Sequence, residues 1–207
     1  MNAFQEVPAG KKSIANRRPL FGVGLNDANY MVTQLIGGKL FTCPYYKRWK
    51  DMLQRCYSKS FQRRRPAYVG CSTFNDWLTF SNFKIWMQDQ SWFDMHLDKD
   101  IKLKGNKIYS DSTCLFIPAK LNTLLNDNRS ARGVWPQGVR QLKRDGKFMA
   151  RIRENGKLNY LGYFNTPEEA SKVYQRARTA KIQSLIDNNT YPMATQYLSQ
   201  HINQGSN

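Results

Sequence analysis

The segment that most constrains the fold is residues 146–175, in which two alternating runs lead directly into a helix start. In the first run, GKFMARIR, the side chains of Phe148, Ala150 and Ile152 lie on one face of a strand, because side chains alternate along an extended backbone. The second run, KLNYLGYF, follows the turn ENG and returns as an antiparallel partner. Upstream, GVRQLKR supplies a third strand through a turn at Asp145 and Gly146. The pattern predicts a three-stranded antiparallel sheet.

The residues after this sheet have the chemistry of a helix N-terminus. Thr166 is expected at the N-cap, Pro167 at the first helical position, and Glu169 completes a capping box. The apolar side chains that follow lie mostly along one stripe, which we expect to cover one face of the sheet. They are Ala170, Val173, Tyr174, Ala177 and Ile182. The predicted class is α+β.

The opposite face of the sheet is predicted to be basic and uncovered. It carries Arg140, Arg151 and Arg153, and Lys147 and Lys157 lie close by in the sequence. β-Elements can enter the major groove of duplex DNA, where arginines pair with guanine edges or contact phosphates. The alternative is a solvated face whose arginines serve solubility.

The charge of the whole chain points to a polyanionic partner. The net charge is +17, from 32 Lys and Arg against 15 Asp and Glu. Residues 41–70 carry a net +7 and residues 132–186 a net +8, whereas residues 71–130 are neutral. The first basic block includes the run QRRR, in which Arg64 and Arg65 either contact phosphate or belong to a solvated loop.

The sequence divides into four segments with different character. Residues 1–40 are expected to form a loose arm, residues 41–130 a mixed helix and short-strand domain, residues 131–187 the sheet domain, and residues 188–207 a polar tail. Within 41–130, CPYYKRWKDMLQRCYS is predicted to be an amphipathic helix, and CSTFNDWLTFSNFKIWM a second one with Ser72 or Thr73 as N-cap. Two short strands are expected around Gly105 and Asn106, and a short helix at AKLNTLLNDN.

Several protein classes are disfavoured by composition. No run of 18 apolar residues is present, so no membrane-spanning helix is expected. The N-terminal residues lack the apolar core of a secretory signal, and none of the four cysteines forms a CxxC pair. We therefore expect a cytoplasmic protein with reduced thiols; a four-thiolate zinc site is the alternative.

The stretch GVRQLKRDGKFMARIRENGKLNYLGYFNTPEEASKVYQRA resembles the Apetala-two/ethylene-response-factor (ERF) DNA-binding domain in the order and spacing of GVR, ARIR, YLGYF and TPEEA. The resemblance covers about residues 133–185. It implies a three-stranded sheet packed on one helix, with the sheet in the major groove. The contacts that it implies are those of Arg140, Arg151, Arg153 and Tyr160. Tyr160 stands where the plant domains usually have Trp, and Leu142 and Leu158 stand where they often have arginines.

The first half of the chain resembles phage proteins of the HNH homing-endonuclease type, in YYKRWKDMLQRCY and HLDKDIKLKGNKIYSDSTCLFIPAKLN. In those proteins such a domain is often fused to an Apetala-two module. The resemblance implies a His general base and a divalent metal such as Mg²⁺ held by His, Asp or Asn. His96 would be the base, with Asp98 and Asn122 as metal ligands and Asp100 a less favoured one. Alternatively, His96 is an ordinary strand-edge residue and the aspartates form a hydrated acidic strand.

Three functional hypotheses follow. The first is a duplex DNA-binding protein that binds through the C-terminal sheet; its expected source is a phage, and this hypothesis implies no particular cofactor. The second is a metal-dependent HNH-type endonuclease targeted by that sheet. The third is an accessory protein that binds DNA but has lost nuclease chemistry. His96, Asp98 and Asn122 are the residues that distinguish the second hypothesis from the other two.

Overall fold

The chain forms two compact units, Met1–Phe116 and Ile117–Asn207. The computed structural model describes residues 4–126, 133–154 and 156–202. Helices and short sheets are mixed in the α+β class that the sequence predicts. The expected domain boundary at 130–131 lies outside the described residues. No helix in the described ranges is long and apolar enough to cross a membrane.

The first unit combines short helices with two-stranded sheets. Its elements are α1 (Lys11–Ala15), β1 (Thr33–Ile36), β2 (Lys39–Thr42), α2 (Pro44–Tyr57), α3 (Lys59–Arg64), β3 (Ser72–Thr73), α4 (Phe80–Gln88), β4 (Met95–Asp98), β5 (Ile108–Tyr109) and β6 (Leu115–Pro118). β1 and β2 form an antiparallel hairpin, and β3 pairs in parallel with β5. β4 pairs with β6, whose first two residues close this unit.

Helix α2 supplies the centre of the first core. Its buried side chains are Trp49, Met52, Leu53 and Cys56, which recur at helical spacing and confirm the predicted amphipathic helix. Trp49 also donates its indole N–H to the carbonyl of Trp77 at 2.7 Å, so the polar atom of this buried ring is paired.

The described residues before β1, from residue 4 on, pack onto this core and do not form the expected loose arm. Ala28 and Tyr30 are buried in the same cluster as α2. The guanidinium of Arg17 donates to the carbonyls of Asn26 at 3.1 Å and Tyr30 at 2.9 Å, and also to that of Ala28. The side chain of Arg17 therefore stabilises residues 26–30, a segment with little regular secondary structure, by hydrogen bonds to three of its carbonyls.

One sequence prediction for this unit is wrong, and another is confirmed with strand pairing that the sequence did not specify. The second helix begins at Phe80, so Ser72 and Thr73 are not its cap; they form β3 and pair with β5. Short strands do flank Gly105 and Asn106, since β4 ends at Asp98 and β5 begins at Ile108, but they do not pair with each other: β5 pairs with β3 and β4 with β6. In both places the pairing partner is distant in the sequence, so the local pattern does not specify it.

The second unit contains the predicted sheet and helix. Its elements are α5 (Ala119–Leu125), β7 (Val139–Gln141), β8 (Phe148–Glu154), β9 (Lys157–Phe164), α6 (Pro167–Asp187) and α7 (Pro192–Leu198). The sheet order is β7-β8-β9, and both pairs are antiparallel. The capping box is present: the Thr166 side chain accepts from the Glu169 N–H, and the Glu169 carboxylate accepts from the Thr166 N–H.

Helix α6 packs on one face of the sheet through small and aromatic side chains. Ala170 and Tyr174 are buried against Phe148, Ala150 and Ile152, as the alternation predicts. The ring of Trp135 meets that of Phe148 edge-on at 4.8 Å, so the segment before β7 closes the same core.

Residues 192–201, within the predicted polar tail, form a helix and a turn. α7 is followed by a 3-10 turn at Ser199–His201, and Ala194, Leu198 and His201 are buried. The buried guanidinium of Arg178 on α6 donates to the carbonyls of Leu124, Leu125 and His201 at 3.1–3.3 Å. This arginine therefore ties α5 and the C-terminal turn to the helix that covers the sheet.

Candidate nucleic-acid interface

The pairing register defines the face of the sheet that points away from α6. Val139 lies opposite Ala150, which is fully buried, so this row faces the helix. The adjacent rows must face outward, because successive residues of a strand alternate between the two faces. These rows are Arg140 with Met149 and Tyr163, Arg151 with Tyr160, and Arg153 with Leu158. We call these seven residues the outward face.

Arginines and tyrosines dominate the exposed part of the outward face. Tyr160 is 62% exposed and Tyr163 is 58% exposed, and Arg140 and Arg153 are exposed beside them. Met149 is buried although it belongs to this face, since it lies between its neighbours in the middle strand. Cations that alternate with aromatic rings offer both charge-assisted hydrogen bonds and flat apolar surface to a nucleic acid.

A bulge in β9 brings both tyrosines to the same side. Ala150 pairs with Gly162 but Arg151 pairs with Tyr160, so Leu161 is the extra residue. Leu161 packs against the helix-side core. On a regular strand, Tyr160 and Tyr163 would point to opposite faces because they are three positions apart. Tyr163 was not among the residues predicted from the sequence. The signal that could have found it is Gly162, since glycine within a strand often marks a bulge.

The three arginines of the outward face differ in the hydrogen bonds that their side chains make to other described residues. Arg140 and Arg151 have no ion pair or side-chain hydrogen bond to any other described residue. Arg153 donates one guanidinium N–H to the carbonyl of Gly156 at 3.0 Å, which holds it over the turn between β8 and β9. Two of the three predicted arginines are therefore free to take an anionic partner without breaking a contact to the described residues.

The two predicted lysines lie on different sides of the sheet. The Leu142 N–H donates to the carbonyl of Lys147 at 2.8 Å, which extends the ladder by one row beyond the pair of Gln141 and Phe148. Alternation places this row outward, so Lys147 shares the outward side. Lys157 lies opposite Glu154, one row beyond Arg153 and Leu158, and alternation places it on the helix side. Lys157 is exposed there but does not extend the outward face.

The predicted basic run of the first unit lies at the end of α3. Arg64 and Arg65 are exposed together with Arg63. The side chain of Gln62, in contrast, donates to the carbonyl of Cys56 at 2.7 Å and to those of Arg55 and Tyr68. Gln62 thus fixes the start of the run. Arg64 donates to the carbonyl of Ser60 at 3.4 Å but remains exposed, as do Arg63 and Arg65.

Of the three residues expected for metal-dependent cleavage, Asp98 and Asn122 are engaged in local hydrogen bonds. His96 is exposed on β4. The Asp98 carboxylate accepts from the backbone N–H groups of Asp100 at 2.7 Å and Ile101 at 2.8 Å, and burial raises its pKa. Asn122 belongs to the second unit, where its side chain accepts from Asn126. Asp98 therefore caps a turn.

The described residues hold no cluster of three or more His, Cys, Asp or Glu side chains arranged to bind a metal. All four cysteines are free and buried. Burial raises the pKa of Cys56 and of Cys114 to about 12, so both are protonated thiols near neutral pH.

No family model matches this chain, and no curated protein or solved structure matches it. The functional interpretation therefore depends on the geometry of the described residues, above all on the outward face.

Proposed function

We propose that this protein binds duplex DNA by placing the outward face of its C-terminal sheet in the major groove. The observation that carries the proposal is the pair of arginines on the face of the sheet opposite the covering helix, Arg140 and Arg151, which make no ion pair or side-chain hydrogen bond to another described residue. A sheet face with cations and exposed tyrosines, on a chain of net charge +17, is complementary to the phosphates and base edges of a duplex.

We assign each basic or aromatic residue a role in DNA binding from its position and its contacts. The guanidinium groups of Arg140 and Arg151 can pair bidentately with a guanine edge or bind a phosphate. Tyr160 lies directly opposite Arg151 and presents an exposed ring beside it. Lys147, at the outward edge, acts through its charge and contacts phosphate. Arg64 and Arg65 add sequence-independent attraction from the first unit.

The test is a titration of the full chain with duplex DNA at several salt concentrations. Arg151→Ala is compared with Arg176→Ala, a matched control that removes an exposed arginine from α6, the helix on the other side of the sheet. If Arg151 contacts a base, its replacement should weaken the binding free energy by about 1–3 kcal/mol and relax the sequence preference. If it contacts phosphate, the slope of the logarithm of the binding constant against the logarithm of the salt concentration should fall by about 1 in magnitude. Equal effects of the two substitutions would contradict the proposal.

A further inference from the structure

The β1–β2 hairpin displays an apolar tip that the first core does not use. Leu35 and Leu40 lie directly opposite each other and are 72% and 70% exposed. Ile36, opposite Lys39, is also exposed, and so is Phe41. Alternation places the two leucines on one side of the ribbon and Ile36 on the other. Both sides of the tip are therefore apolar and open to solvent.

This hairpin is anchored at its base. The buried side chain of Gln34 donates to the carbonyls of Gln5 at 2.7 Å and Met31 at 3.3 Å. The Cys43 N–H donates to the carbonyl of Val32 at 2.8 Å where β2 leads into α2. At the tip, Gly37 and Gly38 both have positive φ, +55° and +76°, as a tight two-residue hairpin turn requires. The ribbon is thus held firmly at one end and presents its leucines at the other.

The charge around the hairpin selects the kind of partner. Residues 28–50 contain Lys39, Lys47, Arg48 and Lys50 and no Asp or Glu, although Lys47 pairs with Asp51 just beyond this range at 2.9 Å. The first unit as a whole has 18 Lys and Arg against 9 Asp and Glu, a net +9. A second copy of the chain would bring like charges together, whereas a polyanion would neutralise them.

The size of the tip also disfavours self-association. Four exposed apolar side chains fall well short of the roughly 800 Å² per partner that a stable protein interface buries. Apolar wedges of this size do suit DNA, because leucine or isoleucine side chains inserted between base steps from the minor groove unstack them and kink the duplex by about 20–90°. β-Ribbons are among the elements that enter DNA grooves.

We infer that the β1–β2 hairpin is a second DNA-contacting element, whose Leu35 and Leu40 insert between base steps from the minor groove and bend the duplex. The inference rests on the proposed function, since it requires that the chain binds duplex DNA. The outward face of the sheet supplies contacts in the major groove, and the hairpin supplies the bend. Lys39, at the tip, lies beside the backbone phosphates and contributes charge.

The experiment measures binding and bending separately on the full chain. A short duplex of mixed sequence carries a donor and an acceptor dye at its two ends, and the fluorescence anisotropy of one dye reports binding while energy transfer reports bending. The variant is Leu35→Ser with Leu40→Ser, which leaves the fold intact because both side chains are exposed. Ile85→Ser is the matched control, an apolar residue of α4 in the same unit that is 63% exposed. Thermal melting checks the fold of each variant.

The wild-type chain is expected to raise energy transfer on binding. The double variant is expected to bind about tenfold more weakly, the loss of about 1.4 kcal/mol of apolar contact, and to leave energy transfer at the level of free DNA. Ile85→Ser should behave like wild type. Wild-type binding without bending, or bending that survives in the double variant, would overturn the inference and leave the proposed function standing. Absence of wild-type binding would overturn both. A dimer in sedimentation that is lost in the double variant would assign the hairpin to self-association instead.

Discussion

Gly138 and Tyr174 are in contact where the first strand of the sheet domain meets the covering helix. A Cβ atom at Gly138 would lie 2.0 Å from Cδ2 of the Tyr174 ring, and Gly138 has φ +77°. The ring of Tyr174 is buried in the core of this domain. Position 138 therefore requires glycine for two reasons: a side chain would clash with Tyr174, and the positive φ is unfavourable for other residues.

Gly138→Ala should destabilise the second unit by about 2–5 kcal/mol, from the left-handed conformation together with overpacking. Gly146→Ala is the matched control, because Gly146 has φ +71° but nothing within 4 Å of a Cβ. It should cost only the conformational part, about 1–2 kcal/mol. Urea unfolding of the full chain gives both values. Similar losses for the two variants would show that Tyr174 moves aside easily.

The capping box of α6 gives a second prediction. Thr166→Ala removes the acceptor for the Glu169 N–H, which lies 3.2 Å from the Thr166 hydroxyl. We expect a loss of about 1 kcal/mol, seen as a lower melting temperature of the second unit, and Thr166→Ser should retain stability because its hydroxyl can accept the same bond. Under the proposed function, excess duplex DNA should recover part of the melting temperature by mass action. An unchanged melting temperature in Thr166→Ala would show that the cap contributes nothing.

Arg178 gives a third prediction, on the C-terminal residues. Arg178→Met removes the donor to three carbonyls, those of Leu124, Leu125 and His201. The hydrogen bond to His201 is buried, whereas those to Leu124 and Leu125 are partly buried. A buried carbonyl left without a donor costs about 1–3 kcal/mol, so we expect a clear loss of stability in thermal unfolding. Arg176→Met, two positions earlier and exposed, is the control and should change stability little. Equal stability of the two variants would show that water replaces the guanidinium.

Asp98 gives a prediction with a pH dependence. Burial raises the pKa of Asp98 above its ordinary value of 3.8, so the folded state holds this proton more tightly than the unfolded chain does. Protonated Asp98 therefore stabilises the fold at low pH, and that stabilisation is lost as the pH rises through the folded pKa. Asp98→Asn keeps an acceptor for the two backbone N–H groups and carries no charge.

The stability of Asp98→Asn relative to wild type should therefore increase between a pH below 3.8 and neutral pH. Asp98→Ala, which removes the acceptor of both N–H groups, should lose about 1–3 kcal/mol at neutral pH. Denaturant unfolding at the two pH values measures the differences. If the difference in unfolding free energy between Asp98→Asn and the wild type does not change with pH, the assignment of Asp98 as a buried, turn-capping carboxylate is contradicted.

The sequence by itself determined the elements whose signals are local. Thr166, Pro167 and Glu169 specify the start of α6 through chemistry within four positions, and the structure contains that capping box. Phe148, Ala150 and Ile152 occupy every second position of β8. The two-residue repeat of a strand was therefore enough to predict that all three are buried against the helix. Trp49, Met52, Leu53 and Cys56 specified the buried stripe of α2 in the same way.

Only the tertiary structure decided the features that depend on distant partners. Ser72 and Thr73 have side chains typical of a helix cap. They form β3 instead, because their backbone pairs with that of Ile108 and Tyr109 in β5. The bulge at Leu161 places Tyr160 and Tyr163 on one face, which alternation alone would have separated. Local propensity is worth a few tenths of a kcal/mol per residue, whereas burial and pairing with distant residues contribute more, and at these positions the larger contribution sets the structure.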